Sequence, residues 1–116
     1  MSIMREQRSE VRMMCADLIE IWWRDRGGRN KKAQAVLEDI SISGACLQLE
    51  APVPLGVVVH WRSPKKRFSA TVRYCAYREI GYFVGVQFHP ASKWSRKEYR
   101  PQHLVDLQKL LPEEGS

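Results

Sequence analysis

Phe68-Ser-Ala-Thr-Val-Arg-Tyr-Cys-Ala-Tyr-Arg-Glu-Ile-Gly-Tyr-Phe-Val-Gly-Val-Gln-Phe88 carries the strongest structural signal in the chain. Phe68, Ala70, Val72, Tyr74 and Ala76 recur at every second position, and Tyr82, Val84, Val86 and Phe88 resume the pattern after Arg78-Glu79-Ile80-Gly81. Successive side chains of a β-strand point to opposite faces, so a period of two sets one apolar face on a core. Two such runs around a short Gly-containing turn predict an antiparallel hairpin.

The same pattern continues upstream. Met13 to Trp23 is rich in Ile, Trp and Met and predicts a strand. Asp25-Arg-Gly-Gly-Arg-Asn30 is a turn in which Gly27 and Gly28 can take positive φ. Ala33, Ala35 and Leu37 alternate with polar neighbours and complete a hairpin. Asp39-Ile-Ser-Ile-Ser-Gly44 is a second bend, after which Ala45, Leu47 and Leu49 point one way and Gln48 the other. Pro52 and Pro54 break that strand, Gly56 to Trp61 forms the next, and Ser63-Pro-Lys-Lys66 turns the chain. Several short strands punctuated by Gly and Pro predict an antiparallel barrel or sandwich, and barrel closure removes exposed sheet edges.

The ends read differently. Residues 1–12 are polar without apolar periodicity and are read as a flexible N-terminal arm, leaving 13–116 as a single domain. Downstream, Leu104, Leu107, Leu110 and Leu111 recur at helical spacing between Pro101 and Pro112. They predict a short C-terminal helix packed on the barrel.

At 116 residues the chain suits one domain, and 44% hydrophobic with 28% charged residues is an ordinary globular balance. The start is charged, and no apolar run approaches the roughly 20 residues of a membrane span, so the expectation is a cytoplasmic protein without membrane insertion. Cys15, Cys46 and Cys75 lie about thirty residues apart in apolar segments and read as reduced, buried thiols rather than disulfides or a zinc site. The net charge of +6 favours anionic partners: a nucleotide, nucleic acid or an anionic surface.

Catalysis finds no support. His60, His89 and His103 fall in or beside different elements, without metal-ligand spacing, and His60 within its strand reads as structural. There is no nucleophile elbow or phosphate loop, and the carboxylates are scattered. The expectation is no enzyme, no metal and no cofactor.

The arginines are more informative. Arg8-Ser-Glu-Val-Arg12 sets two guanidiniums four residues apart, with Glu6 and Glu10 interleaved. A guanidinium forks onto guanine N7 and O6 or onto phosphate oxygens. With twelve arginines in the chain, such spacing also arises by chance, and Arg96-Lys-Glu-Tyr-Arg100 reads as a solvated segment. In the bend, the Asp39 carboxylate can accept the N1–H and amine of guanine. Ser41 and Ser43 can donate, and Gly44 allows close backbone approach. Taken alone, the bend also reads as an Asx-type turn in which Asp39 and Ser41 bond their own backbone.

In combination these residues resemble the PilZ family, whose hallmark is Arg-x-x-x-Arg followed about thirty residues later by Asp/Asn-x-Ser-x-x-Gly. Arg8, Arg12, Asp39, Ser41 and Gly44 fill all five positions, and Gly81-Tyr-Phe-Val-Gly-Val-Gln-Phe88 is similar to the family's late strand. The resemblance spans about residues 5–90. It implies a six-stranded antiparallel β-barrel with a helix, acting as a second-messenger receptor for cyclic di-GMP. Arg8 and Arg12 would fold over the ligand, and Asp39, Ser41 and Gly44 would hold it on the barrel, with Gln7 and Ser43 as further contacts. Ordering about six arm residues costs on the order of 10 kcal/mol. Two arginine–guanine contacts at about 1–3 kcal/mol each do not offset that, so the bound arm must also pack.

A signalling module of this kind would present its closed arm to a downstream protein partner. Two other readings stand beside it: a PilZ-like interaction module that binds no nucleotide, and a nucleic-acid-binding barrel stacking bases on Trp22, Trp23 or Trp61. The last is disfavoured because those tryptophans lie in apolar strands, where core packing is the commoner role.

Overall fold

The computed structural model describes residues 10–106, and of Asp106 only the backbone. Seven strands follow in order: β1 (Met13–Arg24), β2 (Asn30–Ile40), β3 (Gly44–Leu49), β4 (Val58–Arg62), β5 (Arg67–Arg78), β6 (Gly81–Phe88) and the two-residue β7 (Val105–Asp106). All pairings are antiparallel, in the order β2-β3-β6-β5-β4-β1-β7, and a further β1–β2 pairing closes the first six strands into a barrel.

Alternation gives each strand its inner face. Met13, Cys15, Ile19, Ile21 and Trp23 of β1 are buried, whereas Leu18, Glu20 and Arg24 are exposed. Trp61, Phe68, Phe88 and Tyr99 pack ring on ring at 5.3–5.7 Å inside the barrel. Each large aromatic removes on the order of 150–250 Å² from water, so this cluster dominates the core.

The closure is uneven, and that decides the tail. On its second edge β1 pairs with β4 only through Trp22 and Trp23. The earlier part of that edge would expose unpaired N–H and C=O groups. The tail covers it: β7 pairs with Met13 and Met14, and the Ala16 N–H donates to the Gln102 carbonyl. Trp94 and Tyr99 are buried, with Trp94 Nε1 donating to the Tyr99 carbonyl and the Tyr99 hydroxyl to Asp17. This corrects the expectation for the tail's first half. Val105 and Asp106 are extended because strand pairing satisfies backbone groups that helical periodicity ignores; Leu107, Leu110 and Leu111 lie outside the described residues. Among the described residues the helical turn is the 3-10 segment Pro90–Ser92.

The predicted hairpin turn has Gly28 at φ +83°. The three cysteines are free, Cys15 and Cys46 buried and Cys75 half-buried. No described helix is long and apolar enough to cross a membrane. Trp23 and Trp61 are core residues, but Trp22 points out of the barrel.

Candidate functional site

Asp39 stands near the end of β2, beside a bulge that leaves Glu38 unpaired opposite β3. Its partners in register run across the outer face: Met14 on β1, Cys46 on β3, then Gly85 on β6 and Tyr74 on β5. Arg12, one residue before β1, donates from Nη2 to Asp39 Oδ2 at 2.6 Å, with the arginine side chain 56% exposed and the aspartate 20%. Twenty-seven residues of separation are thus closed by the β1–β2 pairing alone.

The bend between β2 and β3 is held from several sides. The Ser41 N–H and hydroxyl both donate to the Gly44 carbonyl, so Ser41 shapes the bend from within. The Ser43 and Ile42 carbonyls accept from Phe88 and Trp94. The Ser43 N–H and Oγ instead face the arm, donating to Glu10 Oε1 at 3.4 and 2.8 Å. Of the two alternatives for Asp39, the side chain bonds Arg12 rather than its own turn.

Gly44 has a different physical reason from the one its position suggests. A Cβ there would sit 2.5 Å from the Val86 carbonyl oxygen, so its missing side chain makes room for β6. Gly85 does the same for a ring, since its Cβ would overlap Tyr74. The Tyr74 ring therefore lies flat over Gly85, half exposed, with its hydroxyl donating to Cys46 Sγ at 3.7 Å. Burial, then the bond to Cys46, pushes the Tyr74 phenol up to about 12, and burial also raises the Cys46 thiol. At neutral pH both are protonated, and this part of the site supplies a ring face and no charge.

Arg73 was not singled out by sequence. It is the bulged residue of β5, and its Nε donates to Gln87 Oε1 at 2.8 Å. Gln87 is in register with Gly44, so a second guanidinium stands near the bend. Its only sequence signal is an arginine inside an alternating run; the β5–β6–β3 order brings it here.

Of the residues expected to bind ligand, Arg12, Asp39, Ser41, Ser43 and Gly44 meet at one end of the barrel, while Gln7 and Arg8 lie outside the described residues. Among the described residues no cluster of His, Cys, Asp or Glu has the makings of a metal site. Arg96, from the second arginine pair, donates to Met13 Sδ, and Tyr99 beside it enters the core. That segment is anchored rather than merely solvated.

The search of curated proteins found no match. The family model for the PilZ domain matches residues 6–102, a span that takes in the bend, all six barrel strands and the packed tail. The chain belongs to the PilZ domain family.

Proposed function

We propose that the protein is a cytoplasmic cyclic di-GMP receptor, in which Arg8 and Arg12 close over the dinucleotide at the Asp39–Gly44 bend. PilZ domains are generally cyclic di-GMP receptor modules, binding rather than catalysing. The observation that carries the reading for this chain is the meeting of Arg12, Asp39 and Ser43 on one outward patch beside the Tyr74 ring. It offers cations for phosphate and guanine acceptors, a carboxylate for guanine donors, hydroxyl and amide donors for phosphate, and a flat face for stacking.

Binding is then an exchange of partners. Arg12 is held by Asp39, and the Ser43 donors by Glu10. An exposed ion pair contributes only about 0–1 kcal/mol, whereas a bidentate arginine–guanine contact is worth about 1–3 kcal/mol. The exchange favours the ligand. Glu10 and Arg12 already bond to the barrel, which removes part of the ordering cost. The closed arm presents a changed surface to a downstream protein.

Calorimetry with cyclic di-GMP tests this. Arg8→Ala, Arg12→Ala and Ser41→Ala are each expected to weaken binding about tenfold or more, the first two by losing contacts and the third by deforming the bend. Unchanged affinity in all three removes the site. Hydrogen exchange is expected to show greater protection of residues 5–12 with ligand, and equal protection in both states would refute arm closure.

A further inference from the structure

A second charged surface, with a different construction, lies where the end of β1 meets the β4–β5 turn. Lys32, Trp22, His60 and Ser69 stand in register across β2, β1, β4 and β5. Trp22 lies eight residues beyond Met14 on the same strand, roughly 26 Å away at about 3.3 Å per residue. The His60 ring stacks on Trp22 at 5.8 Å and 29°. The guanidiniums of Arg67 and Arg62 lie over the same indole, 5.7 and 6.0 Å from its centroid. These two arginines are directly opposite one another at the end of the β4–β5 ladder.

Like charges facing across a strand pair oppose folding, and a carboxylate nearby would relieve them. None does so. The ion pairs between described side chains are Arg12–Asp39 and Lys66–Glu98, and Arg24, Lys32, Arg62 and Arg67 belong to neither. Glu20, two residues before Trp22 on the same face, forms no ion pair. Asp25, in the adjoining turn, accepts from the Arg29 N–H. Lys65 adds a further exposed cation in the β4–β5 turn.

We infer that this face of β1, β4 and β5 is a docking surface for a carboxylate-rich segment of a partner protein. Two planar guanidiniums, held by one indole, offer forked donors that match carboxylates. Stacking on the ring limits their rotamers, so less freedom is lost when an anion binds. An extended acidic segment presents same-face carboxylates about 6.8 Å apart, the spacing of alternate outward residues on the barrel. Base stacking is disfavoured here because the indole is half-buried and already covered by His60, Arg62 and Arg67. The surface is separate from the bend and does not depend on the nucleotide reading.

The test is fluorescence anisotropy with a labelled peptide of alternating glutamate and serine, at low and at physiological ionic strength. A single-stranded oligonucleotide and vesicles containing phosphatidylglycerol serve as the other arms. The peptide is expected to bind, more weakly at higher salt, and to lose about tenfold or more in affinity in the Arg62→Glu/Arg67→Glu variant. Arg62→Gln/Arg67→Gln gives a loss in the same direction with less disturbance of the ladder. The double reversal Arg78→Glu/Arg100→Glu changes net charge equally and is expected to stay within about twofold. Absence of peptide binding overturns the inference. So does an equal loss in the Arg78/Arg100 variant, or tighter binding of the oligonucleotide or vesicles with the same dependence on Arg62 and Arg67.

Discussion

At the bend end of β1 the charges are matched: Arg12 has Asp39, and the Ser43 donors have Glu10. Over the indole at the other end of the same strand, Arg62 and Arg67 crowd together, and among the described residues no carboxylate pairs with either. A matched site answers only to a ligand that replaces both internal partners, and its affinity is a difference between two sets of bonds. An unmatched site attracts anions from a distance, and salt screens it. One barrel can thus hold a selective site and a receptive site, since the stretch of β1 from Met14 to Trp22, at about 3.3 Å per residue, exceeds the Debye length of about 8 Å.

Charge reversal separates the two ends most sharply. Arg12→Glu sets a carboxylate against Asp39 and the ligand phosphates, and calorimetry is expected to show cyclic di-GMP affinity falling about a hundredfold, or about 2.7 kcal/mol. The Arg62→Glu/Arg67→Glu variant should keep that affinity within about twofold. Comparable losses in both would break the division.

Backbone packing distinguishes the ends next. Gly44→Ala forces a Cβ against the Val86 carbonyl, and urea unfolding is expected to show about 1–3 kcal/mol of lost stability. Gly28→Ala, at φ +83° with open space around it, carries only the left-handed penalty of about 1–2 kcal/mol. A smaller loss at Gly44 than at Gly28 would show that β3 and β6 separate easily there.

Removing the internal competitor has a smaller effect of opposite sign. Glu10→Ala frees the Ser43 N–H and Oγ, and cyclic di-GMP is expected to bind about two- to tenfold more tightly. Weaker binding would mean that Glu10 helps the ligand rather than standing in its place.

The smallest effect belongs to His60. Burial first, then the charges of Arg67 and His89, hold its pKa below the usual 6.5. On acidification below about 6.5 the unfolded chain takes up a proton that folded His60 resists, so stability falls as pH falls through that window. His60→Gln is expected to flatten this part of the pH profile in urea unfolding between about pH 7.5 and 5.5.

Much of this was legible in the residues. Period-two alternation marks β2, β3, β5 and β6 because the pleat sets the period, β1 and β4 show in their β-branched and aromatic content, and the bend and the hairpin turn show in their Gly, Asn and Ser. The spacing from Arg8 and Arg12 to Asp39, Ser41 and Gly44 indicated which bend to watch. The tail misled because leucine spacing speaks only for a helix in isolation. The half-open edge of β1 that draws Val105 and Asp106 into pairing is a property of barrel closure.

Sequence alone settled most of the inward face, where the chain turns, and that an arginine segment precedes an Asp-x-Ser-x-x-Gly bend. Those features are written in neighbours two to six residues apart, within reach of local backbone geometry. Alternation also set Tyr74 on the core face with Phe68, Ala70 and Val72, and the bulge at Arg73 turns that ring outward. Only the tertiary structure put Glu10 on Ser43, laid Tyr74 over Gly85, brought Arg73 to Gln87 and gathered Arg62 and Arg67 around Trp22. Each of these depends on strand order and register, which long-range closure of the barrel decides and local periodicity does not encode.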